Sequence, residues 1–205
     1  MSAVSTRCQH TDAPRGDEYD ARWEALAEAG EDVHGEADLV DDLLKTTGGH
    51  RVLDAGCGTG RVAIELTRRG RLVVGVDADA AMLNTARAKA PEITWIHADL
   101  TELEGRLDGP FDVVLLAGNV MIFLDPGSEG RVLRRLADRL SPRGILVAGF
   151  SIRPDRLQLD DYDRLAEVAG LTLRHRWATW DREPFANGDY AVSVHCRAGA
   201  TVSTA

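Results

Sequence analysis

The feature that most constrains the fold is a short apolar run followed by alternating glycines, Val52-Leu53-Asp54-Ala55-Gly56-Cys57-Gly58-Thr59-Gly60. The run is typical of a buried strand that leads through a tight turn into a helix. Glycine has no Cβ and tolerates positive φ, so such a turn lets a ligand approach the backbone closely. Open α/β sheets bind ligands at the carboxyl ends of their strands. The pattern therefore predicts a ligand site directly after the first strand of an α/β sheet.

Short apolar runs alternate with helical segments along the rest of the chain, which indicates crossover units around a mainly parallel sheet. Seven strands are predicted, at Arg51–Asp54, Leu72–Asp77, Ile93–His97, Phe111–Leu116, Gly144–Phe150, Leu171–Trp180 and Tyr190–Arg197. Helices are predicted between them, at about Thr59–Arg69, Asp79–Lys89, Ser128–Leu140 and Asp160–Ala169. The segment between the last two strands is too short for a helical crossover and contains the turn dipeptide Asn187-Gly188. These strands should therefore form an antiparallel hairpin.

The first 50 residues divide into a polar leader and two helices. Residues 1–17 show no periodicity, and we expect them to be mobile. One helix should run from about Tyr19 to Ala29. The next should bury an apolar stripe and end at Gly48-Gly49; the stripe consists of Ala37, Val40, Leu43 and Leu44.

Charge and composition narrow the choice of partner. The 205 residues include 33 acidic and 24 basic side chains, a formal net charge of −9, so binding to nucleic acid or to an anionic membrane is not expected. We find no spanning segment and no secretory signal, and expect a cytoplasmic protein. Cys8, Cys57 and Cys196 form no C-x-x-C pair, and the histidines do not cluster. We therefore expect free thiols and no metal site.

The spacing of the glycines bears on which ligand the turn holds. A dinucleotide fingerprint has glycine at its first, third and sixth positions, but the sixth residue counted from Gly56 is Arg61. Asp54 would repel a diphosphate and would suit a ligand with an ammonium group and a sulfonium. Asp77 ends the second strand, where a carboxylate can accept from both ribose hydroxyls. The acid at Asp77 indicates a nucleoside and does not by itself choose between a nicotinamide and an adenosyl ligand.

Five segments, taken in order, make the chain resemble the class I S-adenosylmethionine-dependent methyltransferases of the small bacterial type. They are Asp54–Gly60, Gly75–Met82, Ile96–Leu100, Phe111–Asn119 and Ser141–Gly144, within a resemblance that covers about Tyr19 to Arg197. The resemblance implies a single Rossmann-like, three-layer α/β domain over residues 18–198. Its seven-stranded, mainly parallel sheet would have the order 3-2-1-4-5-7-6, with strand 7 antiparallel. Residues 18–48 would form a helical lid, and S-adenosylmethionine would be the cofactor, with S-adenosylhomocysteine as product.

The resemblance also implies the cofactor contacts. Gly56 and Gly58 would lie under the methionine part, Asp54 or the Ala55 carbonyl would meet its ammonium group, and Asp77 would hold the ribose. The other implied contacts are Ala78 and Met82 on the adenine, the Asp99 carboxylate and Leu100 amide at its edge, Ala117 and Gly118 beside the sulfonium, and Tyr19 and Trp23 on a covering helix.

The methyl acceptor should lie among the segments that overhang the carboxyl ends of the strands. His34, at the break between the two N-terminal helices, titrates near neutrality and is our candidate general base; a surface histidine at a helix end is the simpler alternative. Trp180 and Asp181 follow the sixth strand, and Asn119 and Phe123 follow the fourth. We predict that these four residues contact the acceptor.

The end of the fourth strand, Ala117-Gly118-Asn119-Val120, lacks the Asn/Asp-Pro-Pro-aromatic motif of enzymes that methylate adenine or glutamine nitrogen. No cysteine follows a proline, as it does in cytosine-C5 methyltransferases. The expected function is therefore methyl transfer to an oxygen, nitrogen or carbon atom of a small molecule. Two alternatives stay open, a non-catalytic S-adenosylmethionine-binding protein and a nicotinamide-dependent oxidoreductase.

Overall fold

Seven strands and seven helices make up the part of the chain that the structure, a computed structural model, describes: residues 16–198, without the side chains of residues 17–19. The strands are β1 (Arg51–Ala55), β2 (Leu72–Asp77), β3 (Thr94–His97), β4 (Phe111–Leu116), β5 (Leu140–Ser151), β6 (Leu171–Trp177) and β7 (Tyr190–Arg197). The helices are α1 (Asp17–Glu28), α2 (Gly35–Thr47), α3 (Arg61–Arg68), α4 (Ala80–Lys89), α5 (Val120–Phe123), α6 (Glu129–Ala137) and α7 (Leu159–Val168). Residues 1–15 of the predicted leader lie outside the described residues.

The strands form one sheet in the order β3-β2-β1-β4-β5-β7-β6. β7 pairs antiparallel with both β5 and β6, and the pairs from β3 to β5 are parallel. The predicted Rossmann-like fold, strand order and terminal hairpin are therefore confirmed. Because all the parallel strands point the same way, the carboxyl ends of β1, β2 and β4 meet at one edge of the sheet, and the glycine loop lies there.

Two hydrophobic clusters, one on each face of the sheet, hold the layers together. Along β4, Val113 and Leu115 belong to the cluster under α2, α3 and α4, whereas Val114 and Leu116 belong to the cluster under α6 and α7. Successive side chains of a strand point to opposite faces. Burial on both faces explains why the strands are apolar without alternation, as in other helix-covered parallel sheets.

Several boundaries differ from the predicted ones for local reasons. α3 begins at Arg61 rather than Thr59, because Gly60 is left-handed (φ 81°) and cannot be part of the helix. β5 starts at Leu140, four residues before Gly144, and its pairing with β4 shifts register near Phe111. β6 ends at Trp177 rather than Trp180. The short helix α5 was not predicted, because four residues are too few to show helical periodicity.

Cys57 and Cys196 are buried free thiols, while Cys8 lies outside the described residues. None of the helices between residues 16 and 198 combines the length and apolar character needed to cross a membrane.

Candidate active site

The glycine loop is held against β2 and packed from beneath. The Gly56 and Cys57 amides both donate to the Val76 carbonyl, at 2.8 and 3.0 Å. Gly56 has φ 84°, and a Cβ there would collide with the Val120 side chain; a Cβ at Gly60 would lie 2.5 Å from Cη2 of Trp95. Both glycines are therefore required by the packing of the loop itself.

Gly58 differs from these two glycines in what it faces. Its φ is 54°, but an added Cβ would meet only the Met82 methyl carbon, at 3.4 Å. Its amide donates to Oδ2 of Asp77 at 2.7 Å, and the Asp79 amide donates to Oδ1 at 2.8 Å. The Asp77 carboxylate is thereby held beside the loop. The carboxylate has about four acceptor sites, and the Gly58, Asp79 and Ala78 amides use three of them, so it can still accept from a ligand hydroxyl.

Asp54 lies beneath the loop, with 2% of its surface exposed. Its burial, together with the nearby charges of Asp77 and Glu36, raises its pKa from 3.8 to about 7, although Arg61 and the Ala63 amide oppose the change. Burial also raises the pKa of Asp77. Two desolvated carboxylates thus lie at the ends of adjacent strands, an arrangement that favours a positively charged ligand and disfavours a diphosphate.

The residues predicted to contact the adenine lie beyond Asp77. Ala78 offers its carbonyl to His97 Nε2 at 3.0 Å, and the Met82 sulfur accepts from the Gly16 amide at 3.1 Å. Asp79 accepts from the Ala81 and Met82 amides and so caps the N-terminus of α4.

Asp99 and Leu100 follow the carboxyl end of β3, next to the carboxyl end of β2. Oδ1 of Asp99 accepts from both the amide and the hydroxyl of Thr101 at 2.7 Å, and Leu100 is buried. A cavity of about 280 Å³ opens beside Asp99; it is lined by Asp99, Thr101, Leu124, Asp125, Pro126, Gly127, Ser128 and Arg131.

The end of β4 turns sharply toward the loop. Ala117 is buried and Gly118 is exposed, and Gly118 and Asn119 both have positive φ, 63° and 70°. Oδ1 of Asn119 accepts from the Ser151 amide at 2.7 Å, and so joins the ends of β4 and β5. This bond uses one of the two lone pairs of Oδ1, so a bound acceptor could meet the amide nitrogen or the second lone pair of Asn119. Phe123, the last residue of α5, is half-buried.

The structure brings the other predicted acceptor residues together at the start of α2. A Cβ added at Gly35 would lie 3.3 Å from Cβ of Trp180 and 4.0 Å from Oδ1 of Asp181. Trp180 donates from its indole nitrogen to the Tyr190 hydroxyl at 3.1 Å. His34 is the residue before Gly35, and its Nδ1 is buried with no hydrogen-bond partner among the described residues. Trp180 and Asp181, far away in sequence, thus lie against the residue that follows His34.

The two N-terminal helices contact the glycine loop through polar groups that the sequence did not indicate. Asp20 of α1 accepts from the Thr59 hydroxyl at 2.6 Å and from Lys89 at 2.7 Å. The Arg61 guanidinium lies 3.8 Å from the centre of the Trp23 ring and pairs with Glu36 of α2. Trp23 therefore lies against Arg61, the residue that follows the glycine loop, while the Tyr19 side chain lies outside the described residues. The cofactor contact of Trp23 stays a prediction.

Known methyltransferases match this chain as a family model, as curated relatives and as solved structures. Residues 52–144 match the family model of a methyltransferase domain. Over 124 residues the chain is 36% identical to glycine N-methyltransferase of Mus musculus, an alignment that covers 51% of this chain and 41% of that enzyme. The chain thus spans about two fifths of the length of the curated relatives it matches.

Solved structures match over a larger share of the chain. A TehB-like SAM-dependent methyltransferase from Corynebacterium glutamicum is 34% identical, with a TM-score of 0.80 over 89% of this chain and 97% of that one. SAM-bound CalS10, an amino pentose methyltransferase from Micromonospora echinaspora, has a TM-score of 0.69 over 92% of this chain and 100% of that one. At 20% identity, CalS10 shows the fold alone.

Proposed function

Because the chain belongs to the class I S-adenosylmethionine-dependent methyltransferases, we propose that it methylates an oxygen, nitrogen or carbon atom of a small molecule in the cytoplasm. The observation that carries the proposal is the buried Nδ1 of His34, which has no hydrogen-bond partner among the described residues, while the next residue, Gly35, lies against Trp180 and Asp181. The family decides against the nicotinamide-dependent alternative.

The residues present fit S-adenosylmethionine. Gly58 leaves open the space that a side chain would fill, and Asp77 presents a fixed carboxylate beside it. Asp54 and the Ala55 carbonyl would face the ammonium group above Gly56. The remaining contacts that we propose are Ala78, Met82, Asp99 and Leu100 at the adenine, Ala117 and Gly118 at the sulfonium, and Tyr19 and Trp23 in the lid of residues 18–48. When bound, the cofactor supplies a methyl group on a positively charged sulfur, which an aligned nucleophile can displace.

The acceptor site is formed by residues that align the nucleophile and exclude water. Trp180 and Phe123 offer apolar surface, and Asn119 and Asp181 offer polar groups that could orient a small molecule. Alignment of this kind is worth effective molarities of about 10⁵ M or more. The formal charge of −9 disfavours nucleic acid as the acceptor.

His34 would take the proton of a hydroxyl, phenol or ammonium acceptor. Nδ1 is shielded from water and has no hydrogen-bond partner among the described residues, so an acceptor group could bond to it without displacing one. His34→Asn should lower kcat for such an acceptor and leave the affinity for S-adenosylhomocysteine unchanged. His50→Asn is the matched control, because His50 is exposed at the opposite, amino end of β1. Equal kcat in the two variants would remove His34 from the mechanism.

Two measurements test the function as a whole. Calorimetry should show binding of S-adenosylmethionine and S-adenosylhomocysteine and none of NAD. Transfer of a labelled methyl group should then be measured into small phenols, hydroxy acids, amines and quinones, with RNA and a protein mixture assayed in parallel. Transfer into a small molecule supports the proposal. Binding without transfer would indicate the non-catalytic alternative, and transfer into RNA or protein alone would contradict a small-molecule acceptor.

A further inference from the structure

We propose that Arg61 is a positioning residue that fastens both N-terminal segments of the lid to the glycine loop. The inference rests on the proposed function, because it assigns a task to the cover of that same site. Arg61 is the first residue of α3 and directly follows Gly60. Its side chain reaches three places in the lid at once, Trp23 of α1, the Val33 carbonyl between the helices, and Glu36 of α2.

The contacts use both terminal nitrogens and one face of the guanidinium group. Nη1 donates to Glu36 Oε2 at 3.0 Å and to the Val33 carbonyl, and Nη2 donates to Glu36 Oε1. Cζ lies over the Trp23 ring, 3.8 Å from its centre. A planar group with several donors can make a bidentate ion pair and stack on an aromatic ring, whereas a lysine ammonium cannot do both. The side chains of Arg61 and Glu36 are 12% and 9% exposed, so water screens the pair weakly.

The two lid helices depend on these contacts to different degrees. α2 buries Ala37, Leu39, Val40 and Leu44 in a core cluster, but neither cluster contains a residue of α1 among its described side chains. α1 is instead attached by Trp23 on Arg61 and by Asp20 on Thr59 and Lys89. Helices without core burial open at low free energy. Loss of Arg61 should therefore release α1 and leave α2 in place.

The same guanidinium also bears on the proposed base. Its bond to the Val33 carbonyl fixes the peptide unit that precedes His34. His34 in turn precedes Gly35, which lies against Trp180 and Asp181. Arg61 would thus set the position of His34 without touching the acceptor, and its loss should lower kcat as well as cofactor affinity.

The test compares Arg61→Lys and Arg61→Gln with Arg69→Gln. Arg69 is the matched control, because it lies near the other end of α3 and pairs with Asp38 of α2 and with Glu65, away from α1 and His34. Amide hydrogen exchange over residues 17–28 should rise roughly tenfold or more in both Arg61 variants, and the Kd for S-adenosylhomocysteine should rise by a similar factor. Arg69→Gln should stay within about twofold of the wild type in both measurements.

Lysine keeps the charge, so failure of Arg61→Lys to restore slow exchange separates the geometry of the contact from its charge. Trp23→Leu serves as a second variant if the Arg61 variants do not fold, and it should speed exchange in α1 alone. Exchange in α1 that matches Arg69→Gln would overturn the inference. Exchange is measured without ligand, so it decides on Arg61 even if the wild type binds no S-adenosylhomocysteine, a result that would instead refute the proposed function.

Discussion

Asp54 is the most heavily desolvated acid of the site, and Asp54→Asn isolates what its charge does to stability. The carboxylate lies at the end of β1 with 2% exposure, and its pKa is raised from 3.8 to about 7, first of all by burial. Asparagine has nearly the same shape and keeps an oxygen that can accept from the Ala63 amide, but it cannot ionise. The variant therefore removes the charge and leaves the packing.

The sign of the effect follows from proton binding. Between pH 3.8 and about 7, the folded protein holds a proton on Asp54 that the unfolded chain has lost. The free energy of unfolding of the wild type must therefore fall as the pH rises through this window and level off above it. From pH 5 to pH 8 the contribution of this group is about 3 kcal/mol. The stability of Asp54→Asn relative to the wild type should grow by about that amount between pH 5 and pH 8.

Denaturant unfolding of both proteins at several pH values measures this difference, since every other titrating group is common to the two chains. Asp41→Asn is a suitable control. Lys45 and Arg71 lower the pKa of Asp41 despite its burial, so the stability that it contributes is lost only below pH 4. Its difference from the wild type should be constant from pH 5 to pH 8. A constant difference for Asp54→Asn as well would refute the assignment of a raised pKa to Asp54.

Four further substitutions each test one residue. Gly58→Ala should abolish cofactor binding while lowering the free energy of unfolding by about 1 to 2 kcal/mol, whereas Gly56→Ala, which collides with Val120, should destabilise the fold itself; equal loss of stability would contradict this distinction. Asp77→Ala should weaken S-adenosylhomocysteine binding by about 1 to 3 kcal/mol, and unchanged affinity in calorimetry would place the ribose elsewhere. Burial lowers the pKa of His195 to about 4, so the wild type loses stability as the pH falls from 6.5 to about 4. In denaturant unfolding, His195→Leu should remove about 3 kcal/mol of that loss. An unaltered pH profile of stability would exclude the lowered pKa of His195.

The strands and the glycine loop could be predicted because local signals specify them. β2, β4 and β7 begin and end at the predicted residues. Mostly apolar runs mark β2 and β4, and the turn dipeptide Asn187-Gly188 marks the start of β7. Gly56 and Gly60 are required because a Cβ would collide with a neighbouring side chain, and all three loop glycines have positive φ, which other residues resist. The glycines therefore predict the conformation of the loop.

The contacts of the lid could not be predicted in the same way. Arg61 and Glu36 are 25 residues apart and meet only because α2 packs beside α3, and no periodicity encodes such a pairing. In the sequence, Arg61 is notable only because it stands where a dinucleotide fingerprint would have its third glycine. For Asn119 the sequence predicts a contact with the acceptor but not its structural role. Its Oδ1 accepts from the Ser151 amide and so joins β4 to β5. The predicted contact of Tyr19 with the cofactor stays a prediction.

The charges around the loop explain why such a site would select a cation. Arg61 pairs directly with Glu36 and acts on Asp54 only through space, so Asp54 and Asp77 repel each other across the ends of two strands. A positively charged ligand would relieve that repulsion and favour the ionised form of Asp54. Cofactor affinity should therefore rise with pH up to about 7, with release of a proton that calorimetry detects in buffers of different ionisation enthalpy.

The two forms of the cofactor can show which cation Asp54 senses. S-adenosylhomocysteine keeps the ammonium group but lacks the positive charge on sulfur. If Asp54 faces the ammonium group, as we propose, both molecules should show the same pH dependence and the same proton release, and Asp54→Asn should remove both. A pH dependence confined to S-adenosylmethionine would mean that the carboxylate faces the sulfonium. Binding of both molecules below pH 7 without proton release would mean that Asp54 keeps its protonation state on binding, and would contradict its contact with either cation.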